Sequence, residues 1–192
     1  MTKDAKTNYD ILEVLKKRYS PRAFSTQPVE NILLNKMLEA ARWAPSASNE
    51  QPWRFIVGVM GKEKSETYNK IFNSLLEFNQ IWCKMVPVLI VVCTYKFTSK
   101  NLEENKYRFY DAGQAAAHLT FQAISDGLYV HQMAGVNRKQ ISEAFNLPES
   151  IEPFTAIAIG HRGNYLELPV RMQRTELAER ERKPFEEIII TY

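Results

Sequence analysis

Apolar residues recur along this chain with two different periods, and the places where the period changes mark its elements. Ile11, Leu12, Val14 and Leu15 stand at near-helical spacing and give way to Lys16, Lys17 and Arg18, cations suited to the negative end of a helix dipole. A second helix opens after Pro28, with Ile32, Leu33, Met37, Leu38 and Ala41 as its buried stripe, and Pro45 stops it. Residues 53–60 are rich in aromatic and β-branched side chains between Pro52 and Gly61, which predicts a strand. A polar helix is expected over 62–78. Residues 86–94 are almost wholly apolar, the pattern of a strand covered on both faces and hence the centre of a sheet. From 107 to 126 there is no proline, and Ala112, Ala115, Ala116, Leu119 and Ala123 line one face of a closely packing helix that Gly127 ends. A short strand at 128–131, a helix at 137–145 and a strand at 155–159 follow. The tail is a charged, mobile-looking stretch before a strand-like Ile188, Ile189 and Ile190, and so apolar an ending requires pairing with a sheet, its own or that of a second subunit.

Composition narrows the class. A chain of 192 residues, 45% hydrophobic and 24% charged, can bury one core without outside staples, and no repeat or low-complexity linker divides it. The net charge of +3 comes from 25 basic and 22 acidic residues spread along the length, unlike the concentrated footprint of a nucleic-acid binder, so no nucleic-acid partner is expected. Cys83 and Cys93 form no CxxC pair, which argues against a disulfide framework or zinc site and for a reducing cytoplasm. The first ten residues are polar and the apolar run at 86–93 is too short to span a bilayer, so a soluble protein without a membrane partner is expected.

Seven glycines, none in a GxGxxG or GxxxxGKS arrangement, leave any phosphate to be held by side chains. Arg18, Ser20 and Arg22 alternate, so in an extended segment they project to one side, where two guanidiniums and a hydroxyl suit a phosphate. Taken alone, Arg18 serves equally to cap a helix end and Arg22 to carry a solvated loop charge. Ser46, Ser48 and Asn49 are ordinary turn formers, and Gln51 before Pro52 is equally ambiguous. His118, His131 and His161 lack companions at metal-ligand spacing and read as structural, so no metal is expected. No GxSxG or HExxH occurs. A chain with cofactor-binding residues but no acid, base or nucleophile of its own suits a cofactor that carries the chemistry, as a flavin does.

Two segments make the chain recognisable. Arg18, Tyr19, Ser20, Pro21, Arg22, Ala23 and Phe24, followed by Ala44, Pro45, Ser46, Ala47, Ser48, Asn49, Glu50, Gln51, Pro52 and Trp53, resemble in order and spacing the nitroreductase family of FMN enzymes. The likeness runs through Val86 and Pro87, the alanine-rich helix after Asp111, Gly160 and His161, to Arg180, Glu181, Arg182, Lys183 and Pro184. The resemblance implies an α+β fold, a mainly antiparallel, partly mixed central sheet flanked by helices. Residues 1–192 would form one FMN-binding domain, with about 163–192 a C-terminal extension exchanged in a homodimer. Carried over by position, Arg18 and Ser20 would face the FMN phosphate beside Tyr19, Arg22 the pyrimidine edge, and Arg180 and Arg182 would complete the phosphate site. Pro45, Ser46, Ala47, Asn49 and Gln51 would reach the same flavin from the other subunit. Asn79 would lie near the isoalloxazine and Gln132, Met133, Ala134 and Gly135 near N5. Ala134 stands where relatives often have an acidic residue, which leaves only its backbone for that contact, and Tyr19 is bulkier than many counterparts.

Carboxamides supply both donors and acceptors for the flavin's pyrimidine edge. A fixed positive charge from Arg22 near N1 and O2 would stabilise the reduced, anionic ring. The implied activity is ping-pong hydride transfer from NADH or NADPH to a nitroaromatic, quinone or similar small electron acceptor, the chain's own residues positioning both partners. The rival readings are a dehalogenase or flavin-modifying enzyme on the same fold, a non-catalytic flavin sensor and, least favoured, a basic nucleic-acid-binding module.

Overall fold

A computed structural model describes residues 3–61 and 65–191. Its centre is a four-stranded sheet of order β1-β2-β4-β3, built from β1 (Trp53–Val59), β2 (Val88–Tyr95), β3 (Tyr129–Met133) and β4 (Ile151–Gly160). Every pairing is antiparallel, so the mixed component expected from the sequence is absent among the described strands.

β2 is the strand the apolar run predicted, and its alternation explains the layers. Leu89, Val91 and Cys93 point into one apolar cluster, while Val88, Ile90 and Val92 point into the other. Ala156 and Ala158 of β4 join the first cluster, Ile157 and Ile159 the second. Pro153, which cannot donate a ladder hydrogen bond, sits where the β2–β4 register slips between Val92 and Cys93.

Helices cover both faces. α1 (Glu13–Lys17) precedes α2 (Asn31–Arg42), which packs against α5 (Arg108–Ser125) through Leu34, Met37 and Ala41. Ile32, expected in that stripe, is exposed and Leu34 is buried instead, because the helix begins at Asn31 and its inward face is set from there. α5 presents Ala112, Ala115, Ala116 and Ala123 to the sheet, small side chains that let helix and strands approach closely. Gly127 follows at φ +79, the left-handed turn that glycine adopts without steric cost.

On the opposite face the helix expected at 62–78 is two helices, α3 (Ser65–Asn73) and α4 (Glu77–Cys83); residues 62–64 lie outside the described residues. The break has a tertiary cause: Leu75 bridges Val136, and the Leu76 N–H donates to the Gly135 carbonyl at 3.0 Å. α6 (Arg138–Ala144) is capped by the Asn137 side chain, close to its predicted span.

Two expectations for the tail are corrected. The charged stretch is not structureless, since α7 (Val170–Leu177) docks through buried Met172 and Glu176. Ile188, Ile189 and Ile190 form no strand: α8 (Phe185–Ile188) ends there and Ile190 is wholly exposed. Among the described residues no sheet edge receives the segment, and without a ladder partner an extended run has nothing to hold it straight.

Candidate functional site

The chain leaves α1 in extended backbone at Arg18, whose guanidinium donates to the Ser20 hydroxyl at 3.2 Å, so these two side chains share one side. Arg180 and Arg182 approach from the tail. The charges of Arg180 and Arg182 act with burial, the larger cause, to hold the Arg18 pKa below its ordinary value. Burial likewise leads in lowering that of Arg180, with the Arg182 charge second. Arg180 donates to the carbonyls of Lys3 and Lys16, and Arg182 to that of Glu181. Among the described residues no carboxylate forms an ion pair with any of the three. Guanidiniums that repel one another in partial burial have the chemistry to take an anion such as a phosphate, whose charge would relieve the repulsion.

The backbone of 18–22 is pinned from two directions. His131 on β3 places Nδ1 2.8 Å from the Pro21 carbonyl, so that nitrogen must carry the proton. Its ring lies 4.6 Å from that of Trp82, and its pKa is pushed down to about 4, first by burial and then by the Arg22 and Arg18 charges against opposing backbone hydrogen bonds. From α7, Glu176 accepts the Arg22 N–H at 2.9 Å through Oε2, while its buried Oε1 has no hydrogen-bond partner. Neither residue was assigned to the site from sequence. A lone buried acid in a charged tail carries no local signal, and His131 was read as structural.

Tyr19 turns inward rather than toward the arginines. Its ring is buried edge-on to Tyr129 at 5.6 Å, and burial pushes its phenol up to about 12. Only its backbone is available to a ligand beside Ser20. Arg22 lies 5.5 Å from the Phe78 ring, and its buried Nε has no partner.

α4 and the loop after β3 meet, a contact the sequence did not predict. The Asn79 carboxamide donates to the Gly135 carbonyl at 2.9 Å and accepts from the Trp82 indole at 3.3 Å. A Cβ on Gly135 would stand 2.5 Å from Asn79 Nδ2, so that position requires glycine for close approach. Gln132 is exposed and donates to Thr120 Oγ1 at 3.1 Å. The Met133 side chain is buried against Cys83 sulfur at 3.8 Å, so a ligand near residues 132–135 would meet backbone and the small, exposed Ala134.

Residues 45–51 are not joined to this cluster within the chain; none of their hydrogen bonds reaches residues 18–22. Instead the loop is held apart in an unusual shape, with Ser48, Asn49 and Gln51 at φ 51, 57 and 47. Left-handed non-glycine residues cost on the order of 1–3 kcal/mol each and persist where surroundings over-determine them. Here the Gln51 N–H donates to Ser46 Oγ at 3.0 Å, Arg54 donates to the Gln51 carbonyl at 3.0 Å, and the Ala47 N–H donates to buried Asp111 at 3.2 Å. The loop thus offers exposed Pro45, Ser48, Asn49 and Gln51 outward from a rigid base.

No group of three or more His, Cys, Asp or Glu side chains among the described residues is arranged to hold a metal, and no described helix is long and apolar enough to cross a membrane. Cys83 and Cys93 are buried, free thiols.

The family model for the nitroreductase family matches residues 15–161. A protein described as a putative NADH dehydrogenase/NAD(P)H nitroreductase from Methanothermobacter thermautotrophicus is 29% identical over 160 residues, 79% of this chain and 77% of its own length. An uncharacterized 15.4 kDa protein from Mycolicibacterium smegmatis is 32% identical over 143 residues, 72% of this chain and 95% of its own. Among solved structures, one described as an oxidoreductase containing FMN superposes with a TM-score of 0.89 at 30% identity, covering 96% of this chain and 93% of that one.

Proposed function

The chain belongs to the nitroreductase family, and from that premise we propose that it is a homodimeric, FMN-dependent oxidoreductase. It would carry a hydride from NADH or NADPH to a nitroaromatic, quinone or similar small electrophile, donor and acceptor using one site in turn. The observation that supports the reading is the cluster of Arg18, Arg180 and Arg182, of which none is ion-paired among the described residues and only Arg180 feels an opposing carboxylate charge, that of Asp4. Names of similar proteins support the cofactor and the donor: one contains FMN and another is a putative NAD(P)H nitroreductase.

FMN, when bound, supplies two-electron chemistry that no side chain here possesses. The residues do the rest. Arg18, Ser20, Arg180 and Arg182 would hold the phosphate, with the Tyr19 backbone alongside. Arg22, its Nε unpartnered, would place positive charge at the pyrimidine edge, where it favours an electron-rich ring. Asn79, fixed by Gly135 and Trp82, would orient the ring system, and backbone groups of 132–135 would line its reactive edge. Pro45, Ser46, Ala47, Asn49 and Gln51 would arrive from the partner subunit, which fits a strained, exposed loop with no hydrogen bond to residues 18–22 of its own chain. About 163–192 would form the extension that reaches the partner. No general base is required, because solvent can deliver protons to the reduced product.

The test is the visible spectrum of the purified protein before and after anaerobic addition of NADH or NADPH. A flavin spectrum that bleaches with a nicotinamide supports the proposal. Colourless protein that cannot be reconstituted with FMN refutes it, and a flavin that neither nicotinamide reduces refutes the enzymatic part.

A further inference from the structure

Phe78 stands in the first turn of α4, next to Asn79, and 47% of it is exposed. Two guanidiniums from separate segments converge on that one ring: Arg22 at 5.5 Å and Arg171 at 5.9 Å from its centroid. Like charges gathered on one exposed ring raise the electrostatic potential there. Arg22 is accounted for by the cofactor reading, but Arg171 is not. Arg171 occupies the first turn of α7, where a cation opposes the helix dipole. Glu167, four residues earlier, forms no ion pair with it, and among the described residues no other carboxylate does. Neither helix electrostatics nor a salt bridge explains its placement. It lies on α7, the same helix whose Glu176 grips the Arg22 backbone, so the approach of Arg171 to Phe78 is set by the docking that shapes the cofactor segment.

We propose that Arg171 is a specificity-determining residue that, with Phe78, selects ring-shaped acceptors bearing an anionic substituent, a carboxylate or sulfonate, over neutral ones. The inference rests on the reading of the chain as a flavin oxidoreductase and adds the charge class of its acceptor. The acceptor's ring packs beside Phe78, and its anionic group takes the Arg171 N–H groups that no described residue occupies. The same chemistry could answer a phosphate of the nicotinamide donor, and the experiment separates the two.

The probes are 4-nitrobenzoate and 4-nitrobenzamide, matched in size and differing in charge. Their dissociation constants from the FMN-loaded protein are measured by calorimetry, and kcat/KM for each is measured with a nicotinamide donor. The wild type is expected to favour the benzoate by about tenfold in both measurements, Arg171→Gln to bring both ratios near unity, and Arg171→Lys to retain a preference. Because each protein supplies its own neutral control, general loosening of the fold cancels from the ratio. A wild-type ratio near one, or a ratio that Arg171→Gln leaves unmoved, overturns the proposal. So does a variant that raises KM for the nicotinamide without altering acceptor preference. If the wild type turns over no acceptor at all, the proposed function falls, while the calorimetric ratio still decides the role of Arg171.

Discussion

Acidification from pH 7 toward 4 should loosen this fold through one imidazole. His131 is held neutral in the folded chain at a pKa of about 4, chiefly because it is buried, whereas an unfolded histidine titrates near 6.5. Its folded pKa is depressed, so between those two values the unfolded state binds the extra proton and the folded state does not. The contribution to stability is therefore complete above about pH 6.5 and is lost as pH falls toward 4. At pH 4.5 the loss comes to about 2.5 kcal/mol, an order-of-magnitude figure that is a sizeable part of a typical domain's stability. The assay is urea unfolding of wild type and His131→Asn from pH 7.5 to 4.5. Asparagine keeps an N–H near the Pro21 carbonyl but does not titrate, so all other groups cancel in the difference. The difference should move steadily against the wild type below about pH 6.5. Parallel curves across the range would show that the imidazole is not held neutral and would refute the argument.

Three further outcomes follow from the same geometry. Arg182→Ala should weaken FMN binding roughly tenfold or more, while riboflavin, which lacks the phosphate, changes by less than about twofold; equal losses in fluorescence titrations would move Arg182 out of the phosphate site. Glu176→Ala leaves the Arg22 N–H unpaired and should cost about 1–3 kcal/mol in urea unfolding, with looser flavin, whereas Glu176→Gln keeps an acceptor and recovers most of both. Indistinguishable Ala and Gln variants would mean that the hydrogen bond is not what pins the segment. Deleting the residues after Pro184 should weaken the dimer and release flavin together, read by light scattering and absorbance; a truncated protein that stays dimeric and fully loaded contradicts the exchange.

Much of this molecule is legible in local pattern. The run at 86–93 has no polar side chain and only Thr94 follows it, so a doubly covered strand is its natural place, and β2 occupies it. The alanine face of α5 and the glycine after it are equally local. The alternation of Arg18, Ser20 and Arg22 is visible in the sequence, but that Arg18 meets Ser20 while Arg22 turns to Phe78, and that Asn79 meets Gly135, is decided by the fold. The split of the expected 62–78 helix was not legible, because its cause is a bridge from Leu75 to Val136, sixty residues on. Nor was the inward turn of Tyr19, which depends on Tyr129 being there to receive it. Glu176 has no signature at all: a glutamate among charges reads as solvated until α7 docks and buries it.

The sequence by itself determined most of the central elements and the family, and offered residue types suited to a phosphate and a planar ring, because periodicity, turn chemistry and motif spacing are properties of neighbours along the chain. Only the tertiary structure decided which cations share a field, which backbone carbonyl His131 holds, and that Arg22 and Arg171 meet on Phe78. Those are matters of distance between segments up to 164 residues apart, and electrostatics and hydrogen bonding act through space.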